Sequence, residues 1–208
     1  MLKDKDIREP LFEYLEERYH KLRIMEEKTM GKSRADIMLV LPEQIIGVEI
    51  KSDADTYTRL ERQTKDYDLF FDQNMIVVGS KHAMHIKEHV PEWWGILSVE
   101  EQDGKIDFYE IRKMQKNPRV QMQNKIILLW RRELAHIQEE NGMPAYKNKS
   151  KNFVREKVIN IIPEELLQKQ LCQELFERDY TTIEAEIAQY RLENNKPKRR
   201  KRKKRRTR

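Results

Sequence analysis

Residues 31–67 read GKSRADIMLVLPEQIIGVEIKSDADTYTRLERQTKDY, and this stretch decides the fold. From Arg34 to Leu41 the residues alternate. Ala35, Ile37, Leu39 and Leu41 fall on one face, and Asp36, Met38 and Val40 on the other, the period-2 pattern of a strand. Pro42-Glu43 makes a short polar break. Gln44 to Lys51 alternates again, with Ile46, Val48 and Ile50 on one face and Gly47, Glu49 and Lys51 on the other. Two alternating runs joined by a tight connection predict an antiparallel hairpin. Ser52-Asp53-Ala54-Asp55 supplies turn and cap residues, and the spacing from Thr56 to Phe71 predicts a helix.

The charges inside these runs are the informative feature. Asp36 interrupts one apolar strand, and Glu49 and Lys51 interrupt the other. Charge placed between apolar neighbours loses several kcal/mol of hydration unless it finds partners (roughly 2–7 kcal/mol even for a neutral polar group). Glu49 and Lys51 are two apart and share a face. Paired strands lie ~4.8 Å apart, so the hairpin can bring Asp36 beside Glu49. Two carboxylates and an amine on one sheet face form an oxygen-donor site for a hard divalent cation, with the amine placed for a water or a phosphate oxygen. The plain alternative for Glu-x-Lys is a solvated surface ion pair, which contributes little.

Asp36 followed by Glu49-Ile50-Lys51 resembles the PD-(D/E)XK nuclease superfamily, in which an acidic residue precedes (D/E)-x-K on the next strand. Arg34-Ala35 stand where the motif's proline would be. Gln63-Thr64-Lys65-Asp66-Tyr67 resembles the Q-x-x-x-Y motif of the RecB-like branch, and the chain is also similar to a bacterial and phage family of the superfamily with unassigned function. Arg59, Gln63 and Tyr67 are spaced by four and form one helical stripe. The resemblance implies an α/β fold with a restriction-endonuclease-like αβββαβ core and a mixed sheet. It further implies that Asp36 and Glu49 hold Mg²⁺ or Mn²⁺, with the backbone carbonyl of Ile50 as a further ligand. Lys51 would then position the attacking water, Gln63 and Tyr67 would orient the lysine or the substrate end, and Arg59 would contact phosphate.

The chain of 208 residues is long enough for one α/β domain and a smaller element, and its composition is 38% hydrophobic and 38% charged. MLKDKDIREP carries no apolar core of a signal peptide, no apolar run approaches the ~20 residues of a membrane span, and the single Cys172 rules out an internal disulfide. A cytoplasmic setting without membrane contact is expected. The net charge of +6 hides an asymmetry: Lys196, Lys198, Arg199, Arg200, Lys201, Arg202, Lys203, Lys204, Arg205, Arg206 and Arg208 form a terminal arm without acids. Setting these 11 aside leaves 31 basic against 36 acidic residues, a body of net charge −5. Such an arm is too charged to pack and binds polyanions by counterion release; a solubility tail is the other reading.

Taken in order, Asp6 to Glu9 has capping-box form. It opens a helix with Ile7, Leu11, Tyr14, Leu15 and Leu22 inward and Pro10 near its first turn. Glu9 and Glu13 are candidates for a further carboxylate. Ile24 to Glu27 is expected as a first strand, with Glu26 or Glu27 near the site. Met75 to Gly79 reads as a buried strand parallel to a hairpin strand. Lys81 to His89 reads as a short helix with His85 and His89 at a spacing that can bind metal, against the default of packing histidines. Trp93 and Trp94 offer base stacking or core packing. Strands follow at Ile96 to Val99 and Lys105 to Ile111 around an Asp103-Gly104 turn.

The domain expectation is a nuclease-like core over 1–113, a linker over 114–124, a helical domain or cap over 125–194 and a disordered basic tail over 195–208. Ile126, Ile127, Trp130, Leu134 and Ile137 mark one helix of the cap, Ser150 caps a second, and Pro163 starts a third. The expected activity is metal-dependent hydrolysis of nucleic-acid phosphodiesters, DNA first, with homodimer formation suiting double-strand cutting. A catalytically inactive nucleic-acid-binding module of the same fold is the alternative, and a protein-interaction or toxin-type role a third.

Overall fold

The computed structural model describes residues 2–179. Over these residues it is a mixed α/β fold: one six-stranded mixed sheet with seven helices, the last of them forming a C-terminal helical region. Helix α1 spans Asp4–Tyr19, followed by strands β1 (Arg23–Met30), β2 (Ser33–Val40) and β3 (Ile45–Lys51), helix α2 (Leu60–Phe70) and strand β4 (Gln73–Gly79). This is the expected αβββαβ order. Helix α3 (Ser80–Ala83) and a 3₁₀ turn (Ile86–Glu88) lead to strands β5 (Gly95–Gln102) and β6 (Lys105–Arg112). Helices α4 (Met122–Lys125), α5 (Arg131–Glu140), α6 (Lys151–Ile161) and α7 (Glu164–Glu177) complete the described chain.

The strands lie in sequence order. β1–β2–β3 is an antiparallel meander, β3, β4 and β5 run parallel, and β6 returns antiparallel through Asp103 and Gly104, both at positive φ. Two apolar layers cover the sheet. Ile7, Leu11 and Leu15 of α1 pack with Ile37, Leu39, Ile46, Val48 and Val77 on one face. Met38, Val40, Ile45, Ile76 and Val78 pack against α2 and the C-terminal helices on the other. With both faces covered, β3 is buried throughout, so its charged residues enter the interior with their partners.

One glycine sets the fit of α2. A Cβ at Gly47 would lie 2.3 Å from a ring carbon of Phe71 and 2.6 Å from one of Tyr67. Hydrogen at this position lets both rings rest on β3, which fixes the height of the Tyr67 hydroxyl above the strand.

Several expectations change. The first helix starts earlier, at Asp4, and Asp6 accepts from the Lys3 N–H at 3.0 Å, so Pro10 sits in the second turn. α2 begins at Leu60 because the Ser52 N–H and hydroxyl both donate to Asp55, at 2.9 and 2.6 Å, and hold a turn ahead of it. The single helix expected around Ile126–Ile137 is interrupted, with Ile126–Leu128 in a 3₁₀ turn and α5 beginning at Arg131. Ser150 does cap α6, accepting from the Phe153 N–H at 3.2 Å.

Residues 114–124 make contacts with α2 and the helices that follow. Among the described residues, those up to Phe176 form one compact unit. Within this unit Asn117 is buried and donates to the carbonyls of Asp68 (2.8 Å) and Phe71 (2.7 Å). Lys125, 4% exposed, pairs with Asp72 at 2.7 Å, and Asp72 in turn accepts from the Ile45 N–H and from Gln168 of α7. The expected basic arm, Lys196 to Arg208, lies outside the described residues. No helix among the described residues is long and apolar enough to cross a membrane.

Candidate active site

The register of the hairpin builds the site. Ile37 pairs with Val48, which brings Asp36 opposite Glu49 one step further on. There the ladder gives way to side chains. The Ile50 N–H donates to Asp36 Oδ2 at 2.8 Å, and the Asp36 N–H donates to the Tyr67 hydroxyl at 3.2 Å. Two backbone donors freed where the strands diverge are thus satisfied by a strand carboxylate and a helix phenol, as buried donors require.

Glu49 is the centre of the cluster and 1% exposed. Its Oε1 accepts from Lys51 Nζ at 2.6 Å and from Gln63 Nε2 at 2.5 Å; its Oε2 lies 2.7 Å from the Tyr67 hydroxyl, which donates to it. Lys51 Nζ also donates to Gln63 Oε1 at 3.2 Å. A buried carboxylate persists when paired and fully hydrogen-bonded, and here one strand and one helix stripe supply every donor. Burial and the carboxylates of Glu49 and Asp36 hold the Tyr67 phenol well above its ordinary range, so it stays a donor.

Asp36 differs. Its carboxyl is pushed up to about 7, first by burial and then by the negative charge of Glu49, against the opposing pull of the Ile50 N–H, Lys51 and Arg8. Its Oδ1 has an ion-pair contact with Arg8 at 3.8 Å. Asp36 Oδ1, Glu49 and the Ile50 carbonyl are all hard oxygen donors. Asp36 and Glu49 are the two carboxylates through which a divalent cation could be held here, with Lys51 and Arg8 also drawn to the pair. Among the described residues no group of three or more His, Cys, Asp or Glu side chains is arranged to hold a metal ion. A cation here would rest on two carboxylates, a carbonyl and water.

Asp36, Glu49, Ile50, Lys51, Arg59 and Gln63 line one cleft of about 500 Å³, and Tyr67 lies fully buried beneath it. Arg62, a position without a sequence signal of its own, joins Arg59 at the rim.

The first helix and strand contribute differently than expected. Glu9 and Glu13 are exposed and do not line the cleft. Asp4 and Arg8 line it instead. The Arg8 guanidinium pairs with Asp4 (2.7 Å), Glu26 (3.0 Å) and Glu27 (3.0 Å), which raises its already high pKa despite partial burial. Glu27 has φ of +53° and falls between the pairs Glu26–Ile37 and Lys28–Ala35. For a residue with a Cβ that conformation costs roughly 1–3 kcal/mol. It lifts the Glu27 carboxylate out of the ladder toward Arg8 and Arg34, at 3.0 and 2.5 Å.

Two other motifs resolve as packing. Both indoles of Trp93 and Trp94 donate to Asp68 Oδ1, at 3.1 and 2.8 Å, and Trp94 is fully buried. His85 and His89 do not converge: the helix breaks between Ala83 and Ile86, His85 lies out by Glu88, and His89 packs on Tyr57.

No curated protein matches this chain. The solved structure of Pyrococcus furiosus SfsA in complex with Ca²⁺ is similar over 53% of this chain and 63% of that chain, at 20% identity and a TM-score of 0.35. The chain thus spans less than two thirds of that protein. The family described as Bacteriophage P4 protein cII matches residues 1–200. With nearly the whole length matched, the chain belongs to the Bacteriophage P4 protein cII family.

Proposed function

We propose that this chain is a divalent-cation-dependent nuclease of the PD-(D/E)XK type, hydrolysing nucleic-acid phosphodiesters with DNA as the first candidate substrate. The observation that carries the reading is the closed arrangement of Glu49, Lys51, Gln63 and Tyr67 beside Asp36 at the floor of one cleft.

Bound at Asp36, Glu49 and the Ile50 carbonyl, Mg²⁺ or Mn²⁺ would supply a water of lowered pKa and neutralise phosphate charge. The chain's own groups do the rest. Glu49 and Gln63 hold Lys51 Nζ in one orientation, so its remaining N–H can face a phosphate oxygen or the attacking water without reorganising. Tyr67 fixes Glu49 from below. Arg59 and Arg62 at the rim pair with flanking phosphates, as Arg does bidentately. The basic arm adds sequence-independent affinity.

Full-chain protein incubated with supercoiled plasmid and with single strands in Mg²⁺ is expected to give products that chelator abolishes. Asp36→Ala, Glu49→Ala and Lys51→Ala should each lower the rate by at least ~100-fold, the scale of losing one transition-state donor. Wild-type rates in all three purified variants would overturn the reading. A second reading, a catalytically inactive nucleic-acid-binding module, is favoured by one observation: Glu49 already accepts from three protein donors, two on Oε1 and one on Oε2. It predicts binding without metal-dependent products.

A further inference from the structure

Beside the cleft, the β3–α2 loop and the segment after β4 build a second feature that the hydrolytic reading leaves unused. Tyr57 stacks on His89, ring centroids 4.1 Å apart and planes tilted by 32°. The Tyr57 hydroxyl bonds His82 Nδ1 at 2.8 Å, and the His82 ring lies 4.9 Å from the tyrosine ring. Tyr57 is half-buried, packed against the core, and His89 is exposed. A half-buried tyrosine in contact with an exposed imidazole offers an aromatic pair at the protein surface. His82 Nε2 is buried and has no hydrogen-bond partner, so this cluster is not polar-satisfied within the protein.

Its position gives the surface meaning. Asp55 and Arg59, two residues on either side of Tyr57, line the cleft. The loop closes on β4 where Asp53 meets Gly79, with no room for a Cβ between them. Arg59 follows Tyr57 by two residues, and Lys81 and Lys87 are exposed on the segment that carries His82 and His89, with Glu88 the acid that acts on the Tyr57 hydroxyl. An aromatic pair next to a cleft-lining arginine matches part of the pattern that binds single-stranded nucleic acid, in which cations follow phosphates and rings take bases that a duplex would keep stacked.

We propose that the Tyr57–His89 stack receives an unpaired base next to the phosphate held at Lys51 and Arg59, so that the preferred substrate is single-stranded or frayed at that position. This rests on the nuclease reading only for which phosphate is cut.

The test measures binding by the full chain in chelator, at raised salt to suppress the contribution of the basic arm. The probes are an oligodeoxythymidylate carrying one 2-aminopurine and its duplex. Wild-type protein is expected to quench the 2-aminopurine in the single strand. His89→Ala and Tyr57→Ala should lose the quench and weaken single-strand binding roughly 5- to 100-fold, the range for one stacked base. Tyr57→Phe, which keeps the ring, and His85→Ala, outside the stack, should behave as wild type, and duplex binding should hold in every variant. If Tyr57→Ala does not fold, His89→Ala decides, because its side chain is exposed. Unchanged single-strand binding in His89→Ala, or an equal loss for duplex and single strand, overturns the proposal. Hydrolysis is scored separately in Mg²⁺: absent products with the stacking contrast intact overturn only the nuclease reading, and the reverse overturns only this one.

Discussion

Glu49 and Asp68 are two carboxylates each 1% exposed, on neighbouring elements of one fold, with opposite surroundings. Glu49 is held by an amine, an amide and a phenol, faces a second acid and floors an open cleft. Asp68 Oδ1 is held by three neutral N–H groups, from Asn74 at 3.0 Å and from both indoles, and burial raises its pKa. Arg119 approaches its other oxygen at 3.8 Å and lies over the Trp93 ring. Burial alone therefore does not separate the two acids. What distinguishes Glu49 is a buried cation in the cluster, an opposed negative charge and an opening. Asp68 ties α2 to β4 and to the Pro91–Gly95 segment.

The comparison predicts a crossed outcome. On the proposed nuclease reading, Glu49→Gln should lower hydrolysis by at least ~100-fold, scored as rate per folded molecule in Mg²⁺, while the melting temperature moves by only a few degrees. Asp68→Ala should do the reverse: three buried donors lose their acceptor, with an expected loss of about 3 kcal/mol in urea unfolding and a rate within about twofold of wild type. Lost hydrolysis with wild-type stability in Asp68→Ala would erase the distinction.

Gly47→Ala sharpens it on the structural side. The added methyl meets Phe71 and Tyr67, and overpacking of this kind costs about 1–3 kcal/mol. Because Tyr67 carries Glu49, the rate should fall as well, unlike in Asp68→Ala. A neutral effect on unfolding would show that α2 can lift from the sheet.

The smallest effect is a pH dependence at Asp36. Its folded pKa, about 7 against an ordinary 3.8, is raised. The folded state therefore binds the proton more tightly than the unfolded chain, and stability falls as pH rises from about 4 to 7. Above that window the charged form is penalised in full. Asp36→Asn removes the penalty and should be more stable than wild type at pH 8, with the gap closing near pH 4. On the proposed reading, Mg²⁺ should raise the wild-type melting temperature at pH 8 and leave that of Asp36→Asn unchanged. A stability difference constant with pH would count against a raised Asp36.

By itself the sequence determined the hairpin and what it brings together. Period-2 alternation on both sides of Pro42-Glu43 puts Asp36, Glu49 and Lys51 on one face, and the spacing of four puts Gln63 and Tyr67 on the helix stripe that lies over it. Local periodicity carries that information because a strand or helix face is a property of consecutive residues. Only the tertiary structure decided that Arg8 would sit among Asp4, Glu26, Glu27 and Asp36, that Glu27 would take a positive φ, that Asp68 would gather Trp93 and Trp94, and that Asn117 would pin residues expected to form a linker. Arg8 to Glu27, Asp68 to Trp94 and Asn117 to Asp68 are meetings of single side chains across 19, 26 and 49 residues. No repeating pattern announces such meetings; each exists because packing the two layers onto the sheet leaves one donor beside one acceptor with water excluded.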